Sequence, residues 1–186
     1  MADIKIMAGS QFLREEELRQ AIEMLFFAYR DFTSEPDAML SEIGLGRAHH
    51  RAIYFVGRNP DITVTQLRGI LKITKQSLSR VLSQLVRERY IEQHTSDEDR
   101  RKRLMRLTEK GVELERALTS NQRKRIARAY EAAGVEAVQG FKNVLQGIMD
   151  SNDRWRFGME QDDGGVSGSD LPSGELAPTR SRGGGS

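Results

Sequence analysis

The sequence predicts a mainly α-helical protein with one small β-hairpin, and three observations carry that prediction. Apolar residues recur at spacings of three and four over most of the chain before residue 150. Two short helical segments meet around "KIT", Lys72 to Thr74, with threonines placed to cap both. Directly after them, two short alternating runs flank seven consecutive charges, "DEDRRKR", Asp97 to Arg103.

Taken in order, Leu18, Ile22, Leu25, Phe26 and Tyr29 share one side of a first helix, which Pro36 is expected to interrupt. A second helix lies between Gly46 and Gly57, with Leu45, His49, Ala52, Ile53 and Val56 on one side, and "RNPD", Arg58 to Asp61, forms a turn. Thr63 with Gln66 three residues later matches a capping box, and Thr74 caps the next helix. Tyr90 to Gln93 and Arg103 to Leu107 read as strands, with Ile91, Met105 and Leu107 as their apolar positions. Beyond Thr108 the chain is helical again, broken at Gly134, after which Val138, Phe141, Leu145 and Ile148 repeat at helical spacing.

Composition bounds the chemistry. With 38% apolar and 30% charged residues the chain suits a soluble globular domain. The absence of cysteine excludes disulfides, thiolate zinc sites and cysteine nucleophiles. Three histidines, no glycine-rich phosphate loop and no cluster of His with carboxylates leave no catalytic residue, cofactor or metal site to assign, so an enzyme is not expected. No apolar run approaches the roughly 18 residues that span a bilayer, and "MADIKIMAGSQFLREEE" lacks a secretory apolar stretch, so the expected location is cytoplasmic, with no membrane partner.

The last stretch, residues 159–186, is rich in Gly, Ser, Pro and acids and is expected to be a disordered acidic tail. From residue 160 it holds five acids against Arg180 and Arg182, net −3, so the rest of the chain carries +5 of the total +2. The closing GGGS is compatible with an added linker and is set aside.

The joined short helices have the length and tight turn of a helix-turn-helix. With Gln76 at 0° and about 100° per residue, Ser79 falls near 300°, Arg80 near 40°, Ser83 near 340° and Arg87 near 20°, one polar stripe. Leu78, Val81, Leu82, Leu85 and Val86 fall between about 140° and 280° and are expected to pack on the preceding helix through Leu67, Ile70 and Leu71. The stripe holds no acid before Glu88, and Thr74, Lys75, Gln76, Ser77, Ser79 and Arg80 can meet phosphates and base edges. An ordinary amphipathic surface helix is the plainer reading of this segment alone. The charged run, alone, is a solvated loop. Together, a helix-turn-helix and a basic two-stranded hairpin make a winged helix, with Arg100, Arg101, Lys102 and Arg103 at the wing tip and Asp99 placed to orient Arg101.

The segment "ITKQSLSRVLSQLVRERYIEQHTSDEDRRKRLMRLTEKG", Ile73 to Gly111, resembles the MarR family of bacterial transcription regulators, most specifically in Asp99, Arg100, Arg101 and "LTEKG". Flanking helices extend the likeness over roughly residues 12–155, and "LGRAHHR" and "YFVGRNP" resemble an alphaproteobacterial subgroup. The resemblance implies a winged-helix DNA-binding domain over residues 1–158, with a core at 46–108 and dimerisation helices at about 12–34 and 112–155. It also implies a homodimer joined through Leu18, Ile22, Leu25, Phe26, Tyr29, Val138, Phe141, Leu145 and Ile148, binding a pseudo-palindromic operator, most often as a repressor. A small anionic or aromatic effector is implied too, and His49, with Ala52, Ile53 and Val56, lies on the helix side nearest the family's pocket; a hydrogen-bonded core histidine is the competing reading. Two other functions stay open: a winged helix that binds protein, and an activator without small-molecule control.

Overall fold

Three glutamates open the first described helix, where their charge favours the exposed amide end. The computed structural model describes residues 14–96, 99–100 and 102–157. Two compact units follow one another, the first ending at Gly134 and the second beginning at Val135.

In the first unit, α1 spans Glu15–Glu42 and runs through Pro36 instead of stopping there. Proline removes one helical N–H and orphans the carbonyl four residues back. Here that carbonyl, of Phe32, accepts a hydrogen bond from Gln122 Nε2 at 3.1 Å, and the proline ring is itself buried. A tertiary contact thus replaces the lost helical bond, so the helix is longer than the 12–34 expected.

The chain then forms α2, Arg47–Arg58, and turns at Asp61, a non-glycine residue with φ of 68°. A two-residue strand, β1 (Ile62–Thr63), leads into α3, Val64–Leu71. The capping box forms as expected: Thr63 Oγ1 accepts from Gln66 N–H at 3.2 Å, and Gln66 Oε1 accepts from Thr63 N–H at 2.9 Å. Lys72, left-handed at φ 49°, makes the tight turn into α4, Lys75–Arg87, whose cap Thr74 accepts from Ser77 N–H at 3.1 Å. Both helices put leucines into one core, but α4 packs chiefly on α2 and β2, not on α3, and Val86, at the edge of the apolar arc, is 37% exposed.

Strands β2 (Ile91–Thr95) and β3 (Arg103–Leu107) form the hairpin. Tyr90 stays outside the ladder because its N–H donates to Leu85 O at 2.8 Å, at the end of α4, although its carbonyl still accepts from Thr108 N–H; the pairing runs on to Thr95↔Arg103. The sheet order is β1-β3-β2, all antiparallel, with Ile62 opposite Met105. Two residues leave no periodicity to read, so β1 was invisible before the fold.

Helix α5, Glu109–Ala133, starts at the Thr108 cap and ends at Gly134, whose φ of 80° suits glycine. Fully enclosed Leu40 from α1 and Leu118 from α5 join Ile53, Leu67, Leu85 and Met105, so the flanking helices share one hydrophobic core with the helices and sheet of residues 46–108. Each such side chain stabilises the fold by about 1.5–3 kcal/mol.

The second unit holds α6 (Val135–Ile148), the four-residue α7 (Ser151–Arg154) and one 3₁₀ turn, Trp155–Phe157. The helical region after Thr108 is therefore broken at Gly134, where the sequence placed the break, and a second time between Ile148 and Ser151. Among the described residues no helix is long and apolar enough to cross a membrane.

Candidate nucleic-acid interface

The α4 stripe is realised. Lys75, Gln76, Ser77, Ser79, Arg80, Ser83 and Arg87 are all exposed along one helix whose opposite side buries Leu78, Val81, Leu82 and Leu85. Thr74 is exposed at its amino end, where free backbone amides favour anions. At the other end Arg87 lies 3.3 Å from Glu88, so its charge is partly met by its neighbour.

The wing loop is closed by two backbone hydrogen bonds, Ser96 N–H to Lys102 O at 3.1 Å and Lys102 N–H to Asp99 O at 2.8 Å. Arg100, Lys102 and Arg103 are exposed there. Arg101 lies outside the described residues, and so does its pairing with Asp99. The Asp99 carboxylate stands 3.9 Å from Lys102 Nζ.

The outer face of the hairpin carries a polar cluster that sequence reading passed over. Asp61 receives Arg106 on both carboxylate oxygens, with Nε to Oδ1 at 2.6 Å, and His94 Nε2 lies 2.9 Å from Oδ1. The Arg106 guanidinium, through its hydrogen bonds, holds the Asp61 carboxyl below its ordinary value and is itself raised in return. "RNPD" signalled only a turn; the signal that would have found the cluster is an acid placed opposite a strand arginine.

A cavity of about 740 Å³ opens between α1, α2 and α5. Aromatic rings of Tyr29, Phe32, Tyr54, Phe55 and Tyr130 line it with Arg47, Arg51 and Arg123. Arg51 Nη2 donates to Tyr29 Oη at 2.9 Å, and Arg47 Nε donates to Asp37 Oδ2 at 2.7 Å. This corrects the expected pocket. Ala52, Ile53 and Val56 are at 0% exposure inside the core, and His49 spends Nδ1 accepting from Gly46 N–H at 3.1 Å, at the start of α2. His50, the neighbour, lines the cavity instead, and burial is the main influence pushing its pKa below the ordinary value. The apolar side of α2 faces the core, so a cavity between helices meets its polar flank.

Of the expected dimer residues, Leu18, Ile22, Leu25, Phe26 and Tyr29 are all exposed on α1, although Tyr29 also walls the cavity. On α6, Phe141 and Ile148 are exposed while Val138 and Leu145 are half-buried.

The MarR family model matches residues 43–102. The HTH-type transcriptional regulator PetP of Rhodobacter capsulatus is 48% identical over 164 residues, spanning 87% of this chain and 99% of PetP. Among solved structures, Streptococcus pneumoniae FabT in complex with DNA matches with a TM-score of 0.61 at 20% identity, over 75% of this chain and 96% of FabT. A mutant MarR from E. coli complexed with operator DNA matches with a TM-score of 0.54 at 16% identity, over 72% of this chain and 96% of that one. These two share the fold, a mostly helical winged helix with a small antiparallel sheet. Identity to PetP across nearly all of both chains, on a winged-helix fold, carries more: the chain belongs to the MarR family of transcriptional regulators.

Proposed function

We propose that the protein is a cytoplasmic, homodimeric repressor, not an enzyme, which binds a pseudo-palindromic operator with one α4 in each major-groove half-site and releases it when a small effector occupies the cavity. The observation that carries this reading is an acid-free exposed stripe, Thr74 to Ser83, on the same unit as a basic hairpin tip. Gln76 and Arg80, near the amino end of α4, are the base-reading candidates; Arg100 to Arg103 are the phosphate and minor-groove candidates. Family membership supports the same reading, as do the two DNA-bound structures that share the fold.

Dimerisation rests on the apolar faces of α1 and α6, each covered by a second copy. The effector reading rests on the cavity, where aromatic walls and three guanidiniums fit an aromatic ring bearing an anionic group.

Sites recovered by genome-wide mapping supply the operator for the test. Gln76→Ala and Arg80→Ala should redistribute preference among operator variants, each with a loss of about 1–3 kcal/mol at the affected base pair. Equal weakening on every variant would remove the base-reading role. Arg101→Ala should weaken all sites alike, and wild-type affinity in that variant would remove the wing from the interface.

A further inference from the structure

We propose that Asp61 is a positioning residue for DNA binding: its carboxylate ties both wing strands to the corner after α2 and so sets the wing's direction relative to α4. This rests on the reading that the wing contacts DNA.

One side chain reaches both strands of the hairpin. Arg106 belongs to β3 and His94 to β2, and each meets the same carboxylate, Arg106 with two hydrogen bonds. The main chain joins in, since Asp61 N–H donates to Met105 O at 3.0 Å and the next residue, Ile62, pairs with Met105 in the sheet. The corner follows directly on the end of α2 at Arg58, and α2 is a principal packing neighbour of α4. A continuous set of contacts therefore runs from α4 through α2 and Asp61 to the wing. Glu92, paired with Arg106 across the ladder, adds attraction to the arginine from the far strand.

These groups are a third to a half exposed, so their pairing contributes little to folding. What it restricts is orientation. A recognition helix and a wing that engage one duplex together lose less freedom on binding when the angle between them is already held. The left-handed backbone at Asp61 suits this post, because Asp and Asn are the non-glycine residues that tolerate it best.

Charge alone makes the opposite prediction, which gives the test its force. Asp61→Asn keeps a side chain that tolerates the backbone and removes one negative charge from a DNA-binding unit, a change that by itself strengthens binding. If Asp61 positions the wing, the full-length variant binds a duplex selected in vitro by the wild-type protein about tenfold more weakly, and its log K against log salt becomes shallower by about 1 between about 50 and 200 mM as a phosphate contact is lost. Damage to the fold lowers the active fraction without changing that slope, so an unchanged slope overturns the proposal. Equal or tighter binding overturns it as well. Arg106→Gln, alone and combined with Asp61→Asn, closes a cycle: a combined loss smaller than the sum supports one shared contact, and strict additivity contradicts it. Arg100→Ala/Arg103→Ala, run in parallel, separates the two readings. Wild-type affinity and slope there sink the wing reading and this proposal with it; weakening there, with none in Asp61→Asn, sinks only the role of Asp61.

Discussion

A methyl group on Gly111 would stand 2.0 Å from the carbonyl oxygen of Tyr90, a backbone atom that cannot swing aside. That contact gives the glycine of "LTEKG" its physical reason: the first turn of α5 lies directly on the chain entering β2, and Gly111 N–H completes the Thr108 cap at 3.1 Å. Gly111→Ala should therefore destabilise the protein by about 3 kcal/mol, the upper range for overpacking, seen as a lower urea midpoint at unchanged slope. His50 offers a second test. Its folded pKa lies below the ordinary 6.5, chiefly through burial, so on acidification the unfolded chain takes up the proton first. This contribution is complete above about pH 6.5, falls as pH drops toward the lower folded value, and then levels. His50→Gln should accordingly lose less unfolding free energy than wild type between about pH 7.5 and 5.5, and equal losses in the two proteins would contradict a half-buried ring that stays neutral in this range.

Among the elements, α1 departs most from what its own residues settle. Its apolar stripe was readable from spacing alone, but its length was not, because Pro36 is a helix breaker unless something else bonds the Phe32 carbonyl, and that donor, Gln122, is 90 residues away. The same helix leaves Ile22 69% and Phe26 62% exposed. Faces of this kind are covered in a stable protein, and the proposed dimer covers them. Phe26→Asp should convert the dimer to monomer at micromolar concentration: two lost phenylalanines at about 2 kcal/mol each raise the dimer Kd by roughly three orders of magnitude. Sedimentation velocity reads the outcome directly, and a dimer of wild-type affinity would place the interface elsewhere.

At the scale of the whole molecule, charge is divided along the chain. Residues 160–186, outside the described structure, carry −3 and the remainder +5. An acidic segment tethered to a basic surface competes with DNA phosphates most effectively when salt is low. Deleting residues 160–186 should thus raise affinity for scrambled duplex a few-fold at about 50 mM salt, with the difference closing near about 200 mM, while operator preference stays the same. Identical non-specific affinities at low salt would leave the segment without electrostatic effect.

What the sequence determined by itself is whatever depends on near neighbours along the chain. Thr63 with Gln66, Thr74 with Ser77, Gly134 as a helix break and the polar stripe of α4 involve residues within one or a few helical turns, so capping and periodicity suffice to place them. The tertiary structure alone decided everything that joins distant segments. It carried α1 through Pro36, paired β1 with β3, and turned the 47/50/51/54 flank of α2 rather than its apolar side toward the cavity. It also brought Asp61 to Arg106, 45 residues on. The reason is common to all four: a carbonyl, a strand edge, a helix flank and a carboxylate each had a local environment compatible with several partners. Only closing the chain around Leu40, Ile53, Leu85 and Leu118 selected one.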